Sequence, residues 1–149
     1  MGEDEVDALV AEGVLGRVPP DRETAMRELD IAHRHLSSVE SLAETDPSGA
    51  FALGYDAVRK SLTAHMRVHG IRARSGGGQH ERIGRYALAA FDRPDVMGHL
   101  ERYDTLRRLR NRSQYDGLAV EPEEVEELLV HARAIVAAVA GSLGRGSRE

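Results

Sequence analysis

Residues 48–70 read SGAFALGYDAVRKSLTAHMRVHG. Phe51, Tyr55, Val58, Leu62, Met66 and His69 recur there at steps of three and four. On a regular helix that spacing gathers them on one face, so the segment is expected to be a long amphipathic helix with a buried stripe. A helix of this kind cannot stand alone in water. It needs partners that present stripes of their own.

The flanking sequence supplies them. Upstream, Thr45-Asp46-Pro47 breaks the chain, and before it Ala25, Leu29, Ala32, Leu36, Val39 and Ala43 form a second stripe that starts behind Asp21, a residue suited to an N-cap. Pro19-Pro20 stops anything helical before that, and residues 3–13 read as a short acidic helix. Downstream, residues 71–79 read as a loop centred on Arg72, Arg74 and Gly76-Gly77-Gly78. A shorter helix is expected from about His80 to Phe91 and a long one from about Asp95 to Tyr115, the latter with Val96, Leu100, Tyr103, Leu106 and Leu109 inward. The last helix begins at Pro122, a residue favoured in a first turn, with glutamates next to it where the helix dipole favours negative charge. No segment alternates with period two over any length. The expected fold is therefore all-α: an antiparallel up-and-down bundle of four to five helices over residues 21–143, with an N-terminal arm at 1–20 and a frayed tail at 144–149.

Composition agrees. The chain has 149 residues, 41% hydrophobic but only 4% aromatic, so the core must come from aliphatic side chains and many alanines, which let helices approach closely. There is no cysteine, which excludes disulfides and cysteine-ligated zinc. The acidic N-terminus lacks the basic-then-apolar layout of a secretory signal, and no apolar run near the length of a bilayer span stands out. The expected location is the cytoplasm, with no membrane contact.

The net charge of −5 discourages a nucleic-acid reading until its distribution is seen. Residues 1–66 carry a net −7 and residues 113–149 a net −4, whereas residues 67–112 carry +6. A basic middle binds anions locally whatever the total. Its densest part is Arg107-Arg108-Leu109-Arg110-Asn111-Arg112. Leu106 and Leu109 fix the buried face, so Arg110 projects beside the apolar stripe, and Asn111, Ser113 and Gln114 add uncharged hydrogen-bonding groups. The cluster reads either as a phosphate-holding groove, for which the arginine fork is suited, or as a solvated helix end. Asp56 and Arg59 would line the same groove or form an ordinary surface pair. His80 sits beside the glycine loop, whose backbone N–H groups would suit phosphate if the loop is more than a connector. His65 and His69, four residues apart, have the spacing of a metal grip but read as core or rim histidines, so no metal or cofactor is expected.

The block Arg110-Asn111-Arg112-Ser113-Gln114-Tyr115, together with Ala52-Leu53-Gly54-Tyr55-Asp56-Ala57-Val58-Arg59-Lys60 and the loop and helix after Gly70, resembles the HEPN domain family over about residues 22–143. Members carry an arginine, a polar neighbour, and a histidine four to six residues after the arginine. Arg110 and Asn111 match the first two, and Tyr115 falls where the histidine would be. The resemblance implies a homodimer whose two motifs meet at the two-fold axis. It also implies metal-independent RNA cleavage in active members, nucleotide binding in others, and toxin–antitoxin pairing with a small nucleotidyltransferase in some. A phenol with a pKa near 10 is a poor general base at neutral pH. The expected function is thus RNA or nucleotide binding at paired Arg-x4-Tyr motifs, with Arg110, Asn111 and Tyr115 central and Arg107, Arg112, Asp56, Arg59 and His80 around them. The alternatives are a ribonuclease in which another group moves the proton, and a non-enzymatic nucleotidyltransferase partner.

Overall fold

The computed structural model describes residues 2–115, 117 and 119–146, without the side chains of Gln114, Tyr115, Arg145 and Gly146. Two long helices form its spine. Helix α2 (Arg22–Leu42) starts at Asp21, whose carboxylate accepts a hydrogen bond from the Thr24 N–H at 3.0 Å. Helix α3 (Pro47–Val68) starts in the same way at Asp46, which accepts from the Gly49 N–H at 3.0 Å, and Pro47 occupies its first turn. Each cap satisfies one of the donors that a helix start leaves open. Alanines at 25 and 32 on α2 and at 50, 57 and 64 on α3 are fully buried, which lets the two helices pack backbone close to backbone.

Helix α7 (Pro122–Gly146) lies against α3, with contacts to α2 and to α5 (Pro94–Glu101). Gly54 sets the α3–α7 distance: a Cβ there would sit 2.6 Å from Leu128 Cδ2. With a mean hydropathy of 1.4, the stretch Pro122–Gly144 is long and apolar enough to cross a membrane by length and composition. No run of that kind stood out in the sequence. In this fold its stripe of Val125, Leu128, Ala132, Ile135, Val139 and Leu143 is buried in the core, where the 3.6-residue period placed it. The helix also continues through Gly144 to Gly146, where a frayed tail was expected; residues 147–149 lie outside the described ones.

The expected helix over residues 95–115 is two helices, α5 and α6 (Tyr103–Tyr115), with a turn at Arg102. The Arg102 N–H bonds to the His99 carbonyl three residues back, a tightening of the helical turn, so that Leu100 and Tyr103 both point inward. Helix α4 (Gln79–Ala90) packs between α5/α6 and α1 (Glu3–Ala11).

Residues 2–20 are knit into the bundle. Val6 of α1 is buried, and the Gly2 N–H donates to the Ala90 carbonyl. Strand β1 (Leu15–Arg17) then pairs antiparallel with β2 (Ile71–Ala73), with Leu15 opposite Ala73 and Arg17 opposite Ile71. The ribbon falls partly in the segment read as a loop. It continues through the Val18 N–H, which donates to the Gly70 carbonyl; Gly70 has φ +68°, and a Cβ there would lie 2.6 Å from the Val18 carbonyl oxygen. Three-residue strands are too short to show a period of two, which is why the sequence gives no sign of them.

Candidate site: an arginine cleft beside a tyrosine–histidine chain

Tyr55 lies on the buried stripe of α3, and a tyrosine there must find a partner for its hydroxyl. It finds two. Tyr55 Oη is 3.1 Å from Tyr103 Oη on α6 and 3.1 Å from His80 Nδ1 on α4. Gly84 on α4 makes room for this: a Cβ there would lie 2.7 Å from Tyr103 Cδ1, so only glycine admits the ring at that depth. The Tyr55 and Tyr103 rings stack with centroids 5.6 Å apart. A chain of three polar side chains from three helices thus leads from the core to a cleft, with His80 at the open end.

Arg110 closes over this chain. Its guanidinium carbon lies 5.4 Å from the Tyr55 ring centroid, within cation–π range, and Nη1 is 3.4 Å from Asn111 Oδ1. The side chain is half-buried, and among the described residues it makes no ion pair. Its neighbours differ. Arg107 donates to Asp104 Oδ1 from Nε at 3.0 Å and from Nη2 at 2.6 Å, while Arg108 reaches Asp104 Oδ2 at 2.8 Å. Arg107, Arg110, Asn111, His80, Gln79, Gly78 and Gly76, with the single carboxylate of Glu81, line an open cleft of about 340 Å3. Gly78 caps α4 in the left-handed conformation, with φ +83° and no side-chain hydrogen bond to the helix start. The first N–H groups of α4, and the positive end of its dipole, therefore stand at the cleft wall.

The electrostatics follow from burial and from these cations. Burial holds the His80 imidazole below the ordinary histidine range, and Arg59, Arg110 and Arg107 push it further down against a smaller opposing pull from Asp56. His80 is therefore neutral at pH 7. Burial raises the Tyr55 phenol, so it too stays protonated. Asp56 is raised by burial but more than offset by Arg59, Lys60 and His35, at 2.5, 3.5 and 3.3 Å, so its carboxylate is held below the usual range. On the other side of His80 lies a larger groove of about 700 Å3, lined by Arg59, Lys60, Thr63, Arg67 and Arg72 among others, and again by Gln79 and His80.

Of the residues singled out in the sequence, Arg107, Arg110, Asn111 and His80 come together at one cleft, and Arg59 borders the adjoining groove. Asp56 lines neither and serves as the ion-pair hub beneath Arg59. Arg112 is exposed and outside the cleft lining. The side chain of Tyr115 lies outside the described residues. His65 is a core histidine, buried and 2.6 Å from Tyr86 Oη, whereas His69 is exposed at the end of α3 with its ring 4.4 Å from that of His65. Among the described residues no group of three or more histidine and carboxylate side chains is arranged to hold a metal ion. Tyr55 and Tyr103 passed as core positions in the sequence. The available signal was their hydroxyl: two tyrosines on buried stripes, in a chain poor in aromatics, require a polar partner nearby.

No family model matches the chain, and neither a curated protein nor a solved structure does.

Proposed function

We propose that this protein binds RNA or a nucleotide through phosphate at the Arg107–Arg110–Asn111 cleft, as a homodimer of HEPN-like bundles. The observation that carries the reading is the unpaired guanidinium of Arg110. It is half-buried, oriented over Tyr55, and among the described residues has no carboxylate partner, in a chain where most cleft arginines do. An arginine held in this way offers its fork to an incoming anion at little further cost in side-chain entropy. The α4 N-terminus and the net positive charge of residues 67–112 support the same ligand charge. The test is fluorescence anisotropy with a labelled single-stranded RNA in EDTA at low salt. Arg110→Ala is expected to weaken binding by about tenfold, the range of one charge-assisted contact. Equal affinity in the variant, with its fold intact by circular dichroism, overturns the reading.

A second reading, metal-independent RNA cleavage, is favoured by His80 alone. Because Tyr55 gives its hydroxyl proton to Tyr103, its oxygen accepts from His80 Nδ1–H, which leaves Nε2 of the neutral imidazole to accept a proton. It would take the proton of a ribose 2′-hydroxyl as that oxygen attacks phosphorus. The P–O5′ bond would then break as the proton now on His80 passes, directly or through water, to the leaving oxygen, and Arg110 would balance the growing charge. Cleavage in EDTA that is lost in His80→Gln but not in Tyr115→Phe would establish it. Pairing with a nucleotidyltransferase belongs to the same proposal as a partner for the bundle.

A further inference from the structure

The cleft around Arg110 and the larger groove are walled in common by Gln79 and His80, the first residues of α4. They adjoin at that wall, with His80 at the divide, and are called the two lobes of one trough. At about 340 Å3 the Arg110 lobe is near the lower end of small-ligand sites, and the adjoining lobe adds about 700 Å3. Each lobe carries a cation that no carboxylate neutralises among the described residues. In the first lobe it is Arg110. In the second it is Arg72, exposed on β2, whose guanidinium lies across Gly16 so closely that a Cβ there would sit 3.3 Å from its Cζ. The other basic side chains of the second lobe are paired, Arg59 and Lys60 with Asp56 and Arg67 with Glu28.

Resting on the phosphate-binding reading above, we propose that the occupant is an extended single strand of RNA. One phosphate would sit at Arg110 and a later one at Arg72, with the chain crossing the trough at His80. Two free cations in separate lobes match a ligand that repeats its charge along its length, and a mononucleotide has its phosphates at one end. Recognition is chiefly by backbone: among the described residues Phe51, Tyr55, Tyr86, Phe91 and Tyr103 are buried and offer no exposed stacking surface in the trough, which leaves the half-buried His80 ring for a base to meet.

The test compares an eight-residue 2′-fluoro oligouridylate, which cannot be cleaved through a 2′-hydroxyl, with UMP and UTP as competitors. The octamer is expected to bind at least tenfold more tightly than either. Arg72→Ala is expected to weaken the octamer about fivefold and to lower its logarithmic salt slope by about 0.7, the single-strand value for one phosphate contact. The same change should leave UMP affinity within twofold. UTP binding as tight as the octamer, or an octamer indifferent to Arg72→Ala, overturns the extended-strand proposal while Arg110-dependent binding of UMP keeps the phosphate-binding reading. If neither nucleotide nor octamer binds, both fall.

Discussion

Two tyrosine–histidine pairs join helix α3 to α4, and they have opposite surroundings. His65 Nδ1 meets Tyr86 Oη at 2.6 Å in the sealed core, with Phe91 and His69 against its ring and Ser142 Oγ 3.5 Å from Nε2. His80 Nδ1 meets Tyr55 Oη at 3.1 Å on a cleft wall among three arginines. Both imidazoles are held neutral, yet for different reasons. Burial alone accounts for most of the change at His65, pushed down to about 3, whereas at His80 the surrounding cations join it. The first pair satisfies two buried polar groups and ends there. The second keeps a nitrogen facing an accessible, positively charged space. Chemistry is decided by the surroundings and not by the residue pair.

The largest contrast is in stability. Tyr86→Phe leaves the buried His65 Nδ1 without its partner and is expected to cost about 1–3 kcal/mol. His80→Gln is expected to cost less, since Tyr55 keeps its hydrogen bond to Tyr103 and water from the cleft can reach the site. Urea denaturation at pH 8 measures both, and equal losses would break the contrast.

Acid separates the pairs next. The unfolded chain protonates His65 near pH 6.5, but the folded state holds it neutral down to about 3, so the unfolded state binds the extra proton. Stability contributed by this group is present above pH 6.5 and falls as the pH drops toward 3, at up to about 1.4 kcal/mol per pH unit. The double variant His65→Leu/Tyr86→Phe, which removes both polar groups, should show a shallower loss between pH 6.5 and 5. His80→Gln should change that slope little.

Gly84→Ala probes the other pair through its support. The added methyl overlaps the buried Tyr103 ring and is expected to cost about 1–3 kcal/mol. It should also displace the His80 ring resonances in NMR while leaving those of His65 in place. The smallest effect is electrostatic. Arg110→Ala removes one of the cations that depress His80, so the midpoint of His80 titration should move up toward the free value of about 6.5. The His65 midpoint should not move.

The bundle was legible because Leu29, Val58, Leu62, Leu128 and Ile135 repeat at helical spacing over long segments, and that pattern is what the packing uses. Asp21 announced one helix start in the same way, whereas Asp46, read only as part of a break in the chain, caps the next. What escaped were features that depend on distant parts of the chain. The β1–β2 ribbon joins residues more than fifty positions apart through three-residue strands. The turn at Arg102 follows from where Tyr103 can be accommodated, which is Gly84 on another helix. The site was legible to the same extent. The run around Arg110 stands out by charge, and His80 by its glycine neighbours. That Tyr55 and Tyr103 link them is a matter of three helices meeting, which no local pattern records. Equally, Arg107 and Arg110 are alike in the sequence, and Asp104 beside the first distinguishes a paired cation from one that has no carboxylate partner among the described residues.

The central claim is that the His80–Arg110 cleft receives phosphate-bearing ligand while its counterpart at His65 does not. Titrating isotopically labelled protein with a short single-stranded RNA, and following both histidine rings by NMR, tests it most directly. Progressive shifts of the His80 resonances that disappear in Arg110→Ala are expected, with His65 unmoved throughout. His80 resonances that stay still at saturating RNA, or that shift equally in the Arg110→Ala protein, would contradict it.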